Sequence, residues 1–169
     1  IYRELLPFRK ETTARALIEG KIAATTFRAG LVKESLERYE QALKTFGLWV
    51  KPTPASVGRN ILREVFLAIF FSPFPKLCRL FSIPRTEVME EKLKLILATA
   101  YSNYFFNTRL SLLYFLKGLN LASRFGSSLV LANYLVGYGV LLAGLPLFWA
   151  ARRVQRKGHE MFARLGDPW

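Results

Sequence analysis

Apolar residues recur every three or four positions along most of the chain, which is the period of an α-helix. The pattern is clearest in residues 86–126, where two such segments meet at Asn107 and Thr108. We expect Thr86 to cap the first segment, with acidic residues in its first turn, where the helix dipole favours negative charge. We expect Asn107 to end that helix, Thr108 to cap the next one and Gly126 to end it. The stretch predicts an antiparallel helical hairpin with a very short turn.

The same period predicts further helices, separated by Gly and Pro residues. Their expected ranges are residues 11–27, 31–46 and 57–71 before the hairpin, and 127–143 and 147–165 after it. Residues 48–55 contain Pro52 and Pro54 and predict a loop. Three more prolines follow between residues 72 and 85 and leave room for one short helix, near residues 76–81.

Three of the predicted helix ends share a large apolar residue followed by Gly. These glycines are Gly47, Gly126 and Gly166. The intervals between them are 79 and 40 residues, which correspond to two repeats and one repeat of about 40 residues. A period of about 40 residues with two helices per unit is typical of a stacked helical array. We therefore predict an all-α fold of stacked antiparallel hairpins, forming a single helical-repeat domain over residues 1–169. The predicted units are residues 11–47, a degenerate unit at 55–85, 86–126 and 127–167.

The first hairpin resembles a tetratricopeptide repeat, which has small residues where its two helices cross, Gly at the turn and an aromatic residue between two small residues in the second helix. The matching residues are Ala23, Gly30, Ser35, Tyr39 and Ala42. The second-helix spacing recurs at Ser111, Phe115 and Gly118 and, with Gln155 in place of the aromatic residue, at Ala151 and Gly158. The large aromatic residue and the Leu-Gly pair of the motif's first helix are absent from the first unit. The resemblance implies a right-handed α-solenoid, in which Gly118 lets a neighbouring helix approach closely.

Residues 101–128, YSNYFFNTRLSLLYFLKGLNLASRFGSS, are also similar to the helical-repeat region of large bacterial signalling proteins. Those proteins combine a nucleotide-cyclase or kinase domain with an NTPase module. Their repeats are followed by a proline-rich gap and by a hairpin ending in L-N-L-A-x-x-x-G, which here is Leu119-Asn120-Leu121-Ala122 and Gly126. The similarity covers roughly residues 20–167. It implies a sensory or autoregulatory scaffold rather than a catalytic module. We expect this non-catalytic scaffold to act in signal transduction in the cytoplasm and to bind other domains of its own chain or an acidic protein surface. Because the chain does not begin with Met, we expect it to be a piece of a longer protein.

The net charge of +13 is distributed unevenly, since no acidic residue lies between Lys92 and His159. A surface of one sign favours anionic partners. The candidate partner-binding residues are Arg152, Arg153, Arg156, Lys157, Arg109, Lys117 and Arg124. The other interpretation is a solvated face whose acidic neighbours lie elsewhere in a longer protein. A nucleic-acid partner is disfavoured, because no base-reading pair of side chains recurs from unit to unit.

Residues 127–151 support an alternative function. They carry no charge, lie between Arg124 and Arg152, and are long enough to cross a bilayer. This pattern predicts a membrane-associated helical protein with an anchoring segment. We favour a helix buried by its neighbours, because Gly144 and Pro146 interrupt the segment and the repeat spacing requires a turn there.

Residues for catalysis are sparse. Cys78 is the only cysteine, which excludes an intrachain disulfide and favours a reducing compartment. His159 is the only histidine, and no ligand cluster with zinc spacing exists. The sequence therefore predicts no catalytic residue, cofactor or metal site. We interpret the aromatic run, Tyr101, Tyr104, Phe105 and Phe106, as part of a helix core rather than as a platform for stacking bases.

Overall fold

A computed structural model of the chain describes residues 12–71, 83–84, 86–126, 129–144 and 146–165. These residues form seven α-helices and no strand, so the predicted all-α class is confirmed within them. The helices are α1 (Thr12–Arg28), α2 (Val32–Thr45), α3 (Pro54–Phe71), α4 (Glu87–Asn103), α5 (Thr108–Phe125), α6 (Leu129–Gly144) and α7 (Phe148–Leu165). The short helix expected near residues 76–81 lies outside the described residues, as does Gly166.

Glycines in the left-handed backbone region end three segments where the sequence predicts a turn. Gly30 has φ 80° between α1 and α2, Gly47 has φ 65° after α2, and Gly126 has φ 97° after α5. A side chain at these positions would be strained, whereas Gly adopts positive φ readily. The predicted turn and both helix ends are confirmed.

Helix α3 begins three residues earlier than the expected start at Val57, so the prediction of a loop over residues 48–55 is wrong at its end. Pro54 occupies the first helical position, where its missing N–H costs no hydrogen bond. Thr53 stands before it, with its hydroxyl 3.4 Å from the amide of Ser56 and its carbonyl accepting from Val57 at 2.9 Å. A proline therefore starts this helix instead of preventing it.

The turn between α4 and α5 differs from the prediction. Thr86 caps α4 as expected, because its hydroxyl accepts from the amide of Met89 at 3.2 Å. However, α4 ends at Asn103, before a three-residue turn, and Asn107 caps α5 through the amide of Leu110 at 3.1 Å. Asn107 has φ −148° and therefore does not end α4 in a left-handed conformation. An Asn residue can end one helix in the left-handed conformation or cap the start of the next one, and here Asn107 caps α5.

Residues 129–151 do not form one straight helix. Helix α6 ends at Gly144 and α7 begins at Phe148, so the chain turns where the sequence predicts. Among the described helices, none combines the length and the apolar composition that crossing a bilayer requires.

The helices pack as three hairpins in chain order, which we call hairpins one (α1 and α2), two (α4 and α5) and three (α6 and α7). At the first boundary, between hairpins one and two, α4 contacts both α1 and α2. At the second boundary, between hairpins two and three, α6 contacts both α4 and α5. Among the described helices α3 packs only on α5. The main core runs through all three hairpins and buries, for example, Ala23, Tyr39, Ile96, Phe115 and Tyr134.

The two helices of each hairpin cross at small residues in one register. In hairpin one the hydroxyl of Ser35 donates to the carbonyl of Ala23 at 2.8 Å. In hairpin two the hydroxyl of Ser111 donates to the carbonyl of Ala100, also at 2.8 Å. In hairpin three the fourth residue of the second helix is Ala151, whose carbonyl oxygen would lie 3.2 Å from a Cβ built on Gly139. The close crossing is therefore present in all three hairpins, but the hydroxyl only in the first two.

Candidate functional site

The predicted basic cluster lies on α7, the last described helix. Ala151, Gly158 and Phe162 are buried on one side of α7, which packs on α6. The opposite side exposes the four predicted cations, Arg152, Arg153, Arg156 and Lys157. The helical period explains this separation, because positions three and four apart fall on one face. We call this side of the helix the basic face of α7.

An exposed tryptophan lies within the basic face. Trp149 is 73% exposed and stands one turn before Arg152 and Arg153. Phe148 beside it is 58% exposed. Trp149, Arg152, Arg153 and Arg156 occupy positions i, i+3, i+4 and i+7, so they share one stripe of the helix surface. Charge alone predicts the cation cluster and does not include Trp149, although the spacing of Trp149 from the three arginines is visible in the sequence.

Among the described residues, the surroundings of the basic face leave most of its charge uncompensated. Within the part of the chain that the structure describes, none of the four cations has an ion-pair partner. Helix α6, on which α7 packs, contains no charged residue. Glu160 is the one acidic residue of α7 and follows the cluster. Like charges this close repel one another, so the bare cluster favours an anionic neighbour.

The other three predicted partner-binding residues lie on α5 and do not join this face, because α5 and α7 share no contact in the described helices. Arg109 is exposed at the start of α5, and Arg124 is partly buried near its end. Lys117 is half-buried and donates to the carbonyl of Leu48 at 2.8 Å. Burial lowers the pKa of Lys117, since desolvation disfavours its charged form. Lys117 thus holds the 48–50 segment against α5.

The same side of α5 carries two polar contacts that the sequence analysis did not predict. The amide of Asn120 donates to the carbonyl and to the carboxylate of Glu64, at 2.9 and 2.8 Å. The phenol of Tyr114 lies 3.4 Å from the amide of Val50, and burial raises its pKa to about 12. A signal existed for the first contact, because Glu64 is the one acid in the apolar stretch that forms α3. A buried carboxylate needs a donor, and α5 supplies it.

A cleft of about 840 Å³ opens at the first boundary. It is lined by Gly30, Leu31, Val32, Lys33, Glu34, Leu36, Glu37 and Phe106. A smaller cavity of about 180 Å³ lies near it, between α2, residues 49–52, α4 and α5. The cleft has both charge signs, since Lys33 stands beside the carboxylates, and Glu34 is already paired with Arg38 at 3.0 Å. No pattern in the sequence predicts this cleft.

The aromatic run at the tip of hairpin two is exposed, so its assignment to a helix core is wrong for Tyr104, Phe105 and Phe106, whereas the half-exposed ring of Tyr101 packs on Phe115. Tyr101 is 48%, Tyr104 42%, Phe105 80% and Phe106 61% exposed. The last three residues lie in the turn after α4, where the chain leaves the helical period. Apolar periodicity could not predict the exposure of these three residues, because they lie beyond the end of the helix, where a helical period no longer determines which side chains are buried.

No group of three or more His, Cys, Asp or Glu side chains is arranged to hold a metal ion in the described ranges, and Cys78 lies outside them. No family model matches the chain, and neither a curated protein nor a solved structure does.

Proposed function

We propose that this chain is a non-catalytic scaffold, a tetratricopeptide-like right-handed α-solenoid that binds proteins in a cytoplasmic signalling protein. The observation that carries the proposal is the crossing register shared by three successive hairpins. Its small residues are Ser35 in hairpin one, Ser111 in hairpin two and Ala151 in hairpin three, each the fourth residue of its second helix. All three are buried. Units that repeat one crossing and contact only their neighbours are typical of helical solenoids.

Such an array presents extended faces made of many short helices, and these faces are the usual binding surfaces of repeat proteins. In this chain the face with the strongest chemical character is the basic face of α7. Its four cations are exposed and lack acidic partners among the described residues. An acidic protein surface would supply the missing countercharge. Arg side chains suit this role, because their planar groups hold carboxylates through two parallel hydrogen bonds.

The test replaces Arg152, Arg153, Arg156 and Lys157 together by Gln. The probe is a fluorescein-labelled helical peptide built from Glu, Ala and Gln, which offers charge without large apolar side chains. Its affinity is measured by anisotropy at roughly 0.1 M and 1 M salt, where the Debye length is about 10 Å and about 3 Å. The matched control replaces four exposed cations elsewhere, Arg15, Lys21, Lys51 and Arg59, and changes the net charge equally.

We expect the unmodified chain to bind the peptide at the lower salt concentration and to lose affinity at the higher one, because exposed charges are screened. The control should retain most of this binding, and the variant with the changed basic face should lose it. If that variant keeps the affinity and the salt dependence of the unmodified chain, the basic face is only a solvated surface and the proposed docking function is wrong.

A further inference from the structure

We infer that the basic face of α7, together with Trp149 at its N-terminal end, binds an acidic helical segment of a partner protein whose leucine-type side chains cover the indole. This inference rests on the proposed docking function and specifies the partner's chemistry. Carboxylates of the segment pair with Arg152, Arg153 and Arg156, and Lys157 extends the charged rim. The partner is therefore recognised by acidic and apolar side chains together, and acidic charge alone binds less tightly.

The position of Trp149 supports a recognition role. Its ring is 73% exposed although α7 has a packed side available, on which Ala151, Gly158 and Phe162 are buried. The indole thus remains outside the core, and guanidinium groups follow it one turn and two turns along the same stripe of the helix. Trp and Arg are the residues most enriched at the energetic centres of protein interfaces, where neighbouring contacts exclude water from them. Here the aromatic centre and the charged rim lie on one helix.

A protein partner fits this face better than a lipid surface does. A membrane-bound amphipathic helix inserts its apolar side among the acyl chains. The apolar side of α7 is already packed on α6, and the large apolar side chains that remain exposed in the described part of this hairpin arm are Leu147, Phe148 and Trp149 near the turn and Leu165 at the helix end. A second copy of this chain fits poorly as well, because the net charge of +13 makes two copies repel.

A nucleic acid fits less well than an acidic helix. Guanidinium groups would bind phosphates along a strand, and an indole would stack on a base. However, Glu160 follows the cluster on the same exposed side and would face that strand. An acidic helix can place its own cationic or neutral residue opposite Glu160, which a uniformly anionic strand cannot do.

The experiment compares two helical peptides of equal charge, one with Ala and one with Leu between the same Glu positions. Trp49→Phe and Trp169→Phe are introduced so that Trp149 is the only tryptophan, since the chain has three. We expect the Leu peptide to bind about tenfold more tightly than the Ala peptide. We also expect the emission of Trp149 to shift to shorter wavelength as the ring leaves water. Vesicles containing phosphatidylserine and an oligouridine RNA are titrated in parallel.

Trp149→Ala provides the decisive variant, since it keeps all four cations. It should bind the Ala peptide as before, with the same salt dependence, and lose the preference for the Leu peptide. Phe105→Ala, which removes another highly exposed ring in hairpin two, should keep that preference. Loss of peptide binding in the four-Gln variant together with an unchanged preference in Trp149→Ala would overturn this inference while the docking function stands.

Three other results would overturn the inference. The first is equal binding of the two peptides, and the second is an emission shift of Trp149 only with vesicles or RNA. The third is that neither peptide binds the unmodified chain at the lower salt concentration. This last result would also contradict the docking function itself, so the two failures are distinguishable.

Discussion

The two boundaries between hairpins are built differently. At the second boundary Tyr134 of α6 is completely buried and donates to the carbonyl of Leu93 on α4 at 2.7 Å. A Cβ on Gly118 of α5 would collide with the same ring. Phe115 completes the contact, because its ring meets those of Tyr101 and Tyr134 edge to face, at 5.1 and 6.4 Å between centroids. The second boundary is thus built on tightly packed aromatic rings, and α6 brings no charged residue to it.

The first boundary is more open and more polar. Tyr39 of α2 lies beside Ser102 of α4, and α1 approaches α4 closely at Gly20, where a Cβ would lie 2.8 Å from Leu95 Cδ1. Beside these contacts lie the cleft of about 840 Å³ and the smaller cavity. Residues 48–85 separate hairpins one and two in sequence, whereas hairpin three follows hairpin two directly. The tightly packed second boundary lies between hairpins that follow each other directly. The more open first boundary lies between hairpins that residues 48–85 separate.

Gly118→Leu should have the largest effect, because it places a large side chain where Tyr134 packs. The predicted close approach of a helix at Gly118 is confirmed by the structure. We expect the substitution to lower the free energy of unfolding by about 3 kcal/mol, the upper end of the range for overpacked cores. Denaturant unfolding measures this quantity.

The matched control is Gly58→Ala on α3, where an added Cβ meets no atom within 4 Å. This change should raise stability by up to about 1 kcal/mol, the difference in helix propensity between Ala and Gly. An unchanged unfolding midpoint for Gly118→Leu would show that Gly118 faces open space and that the second boundary is not tightly packed.

Alkaline pH should test the polar side of the first boundary through Tyr114. Burial raises its pKa from an ordinary value of about 10 to about 12, so the folded state holds the phenolic proton more tightly. This stabilisation is complete below pH 10 and is lost as the pH rises from about 10 to about 12. Two pKa units correspond to roughly 2–3 kcal/mol.

The measurement compares the unmodified chain with Tyr114→Phe by denaturant unfolding at about pH 9 and about pH 12. The variant should lose less stability over this interval. The lowered pKa of Lys117 has the opposite effect on the pH dependence, because stability rises with pH as that group loses its proton. Both chains contain Lys117, so its contribution cancels in the comparison. Equal losses in the two chains would contradict a buried phenol at position 114.

The crossing register should produce a smaller effect. Ser111→Ala removes the hydroxyl bonded to Ala100 and should cost about 1 kcal/mol. Ala151→Ser introduces a hydroxyl at the equivalent position of hairpin three. If the crossings are equivalent, the new hydroxyl donates a hydrogen bond to the carbonyl of Gly139, and the free energy of unfolding changes by less than about 1 kcal/mol. If they are not, an unbonded buried hydroxyl costs about 1–3 kcal/mol, which would argue against a common register.

Local signals in the sequence predicted much of this fold. Gly30, Gly47 and Gly126 mark turns because the backbone there needs positive φ, and Thr86 caps α4 through its own side chain. The crossing residues were predicted as well, since a hairpin's small positions depend on spacing within it. Each of these features is determined within one or two helical turns.

Contacts between distant segments could not be predicted from periodicity. Asn120 meets Glu64 across 56 residues, and Lys117 meets Leu48 across 69 residues. Lys117 was therefore assigned to an exposed face, although it lies against the 48–50 segment. The basic face of α7 was predictable because its cations lie on one helix, and the cleft was not because its walls come from two hairpins.

The described residues offer two surfaces on which a partner could dock. One is the basic face of α7, and the other is the cleft at the first boundary. Backbone amide chemical-shift mapping with the Leu-containing acidic peptide distinguishes them directly. We expect the perturbed amides to lie in residues 148–157 of α7. Perturbations confined to the cleft, at Leu36, Glu37 and Phe106, with α7 unchanged, would contradict the proposal that the basic face binds the partner.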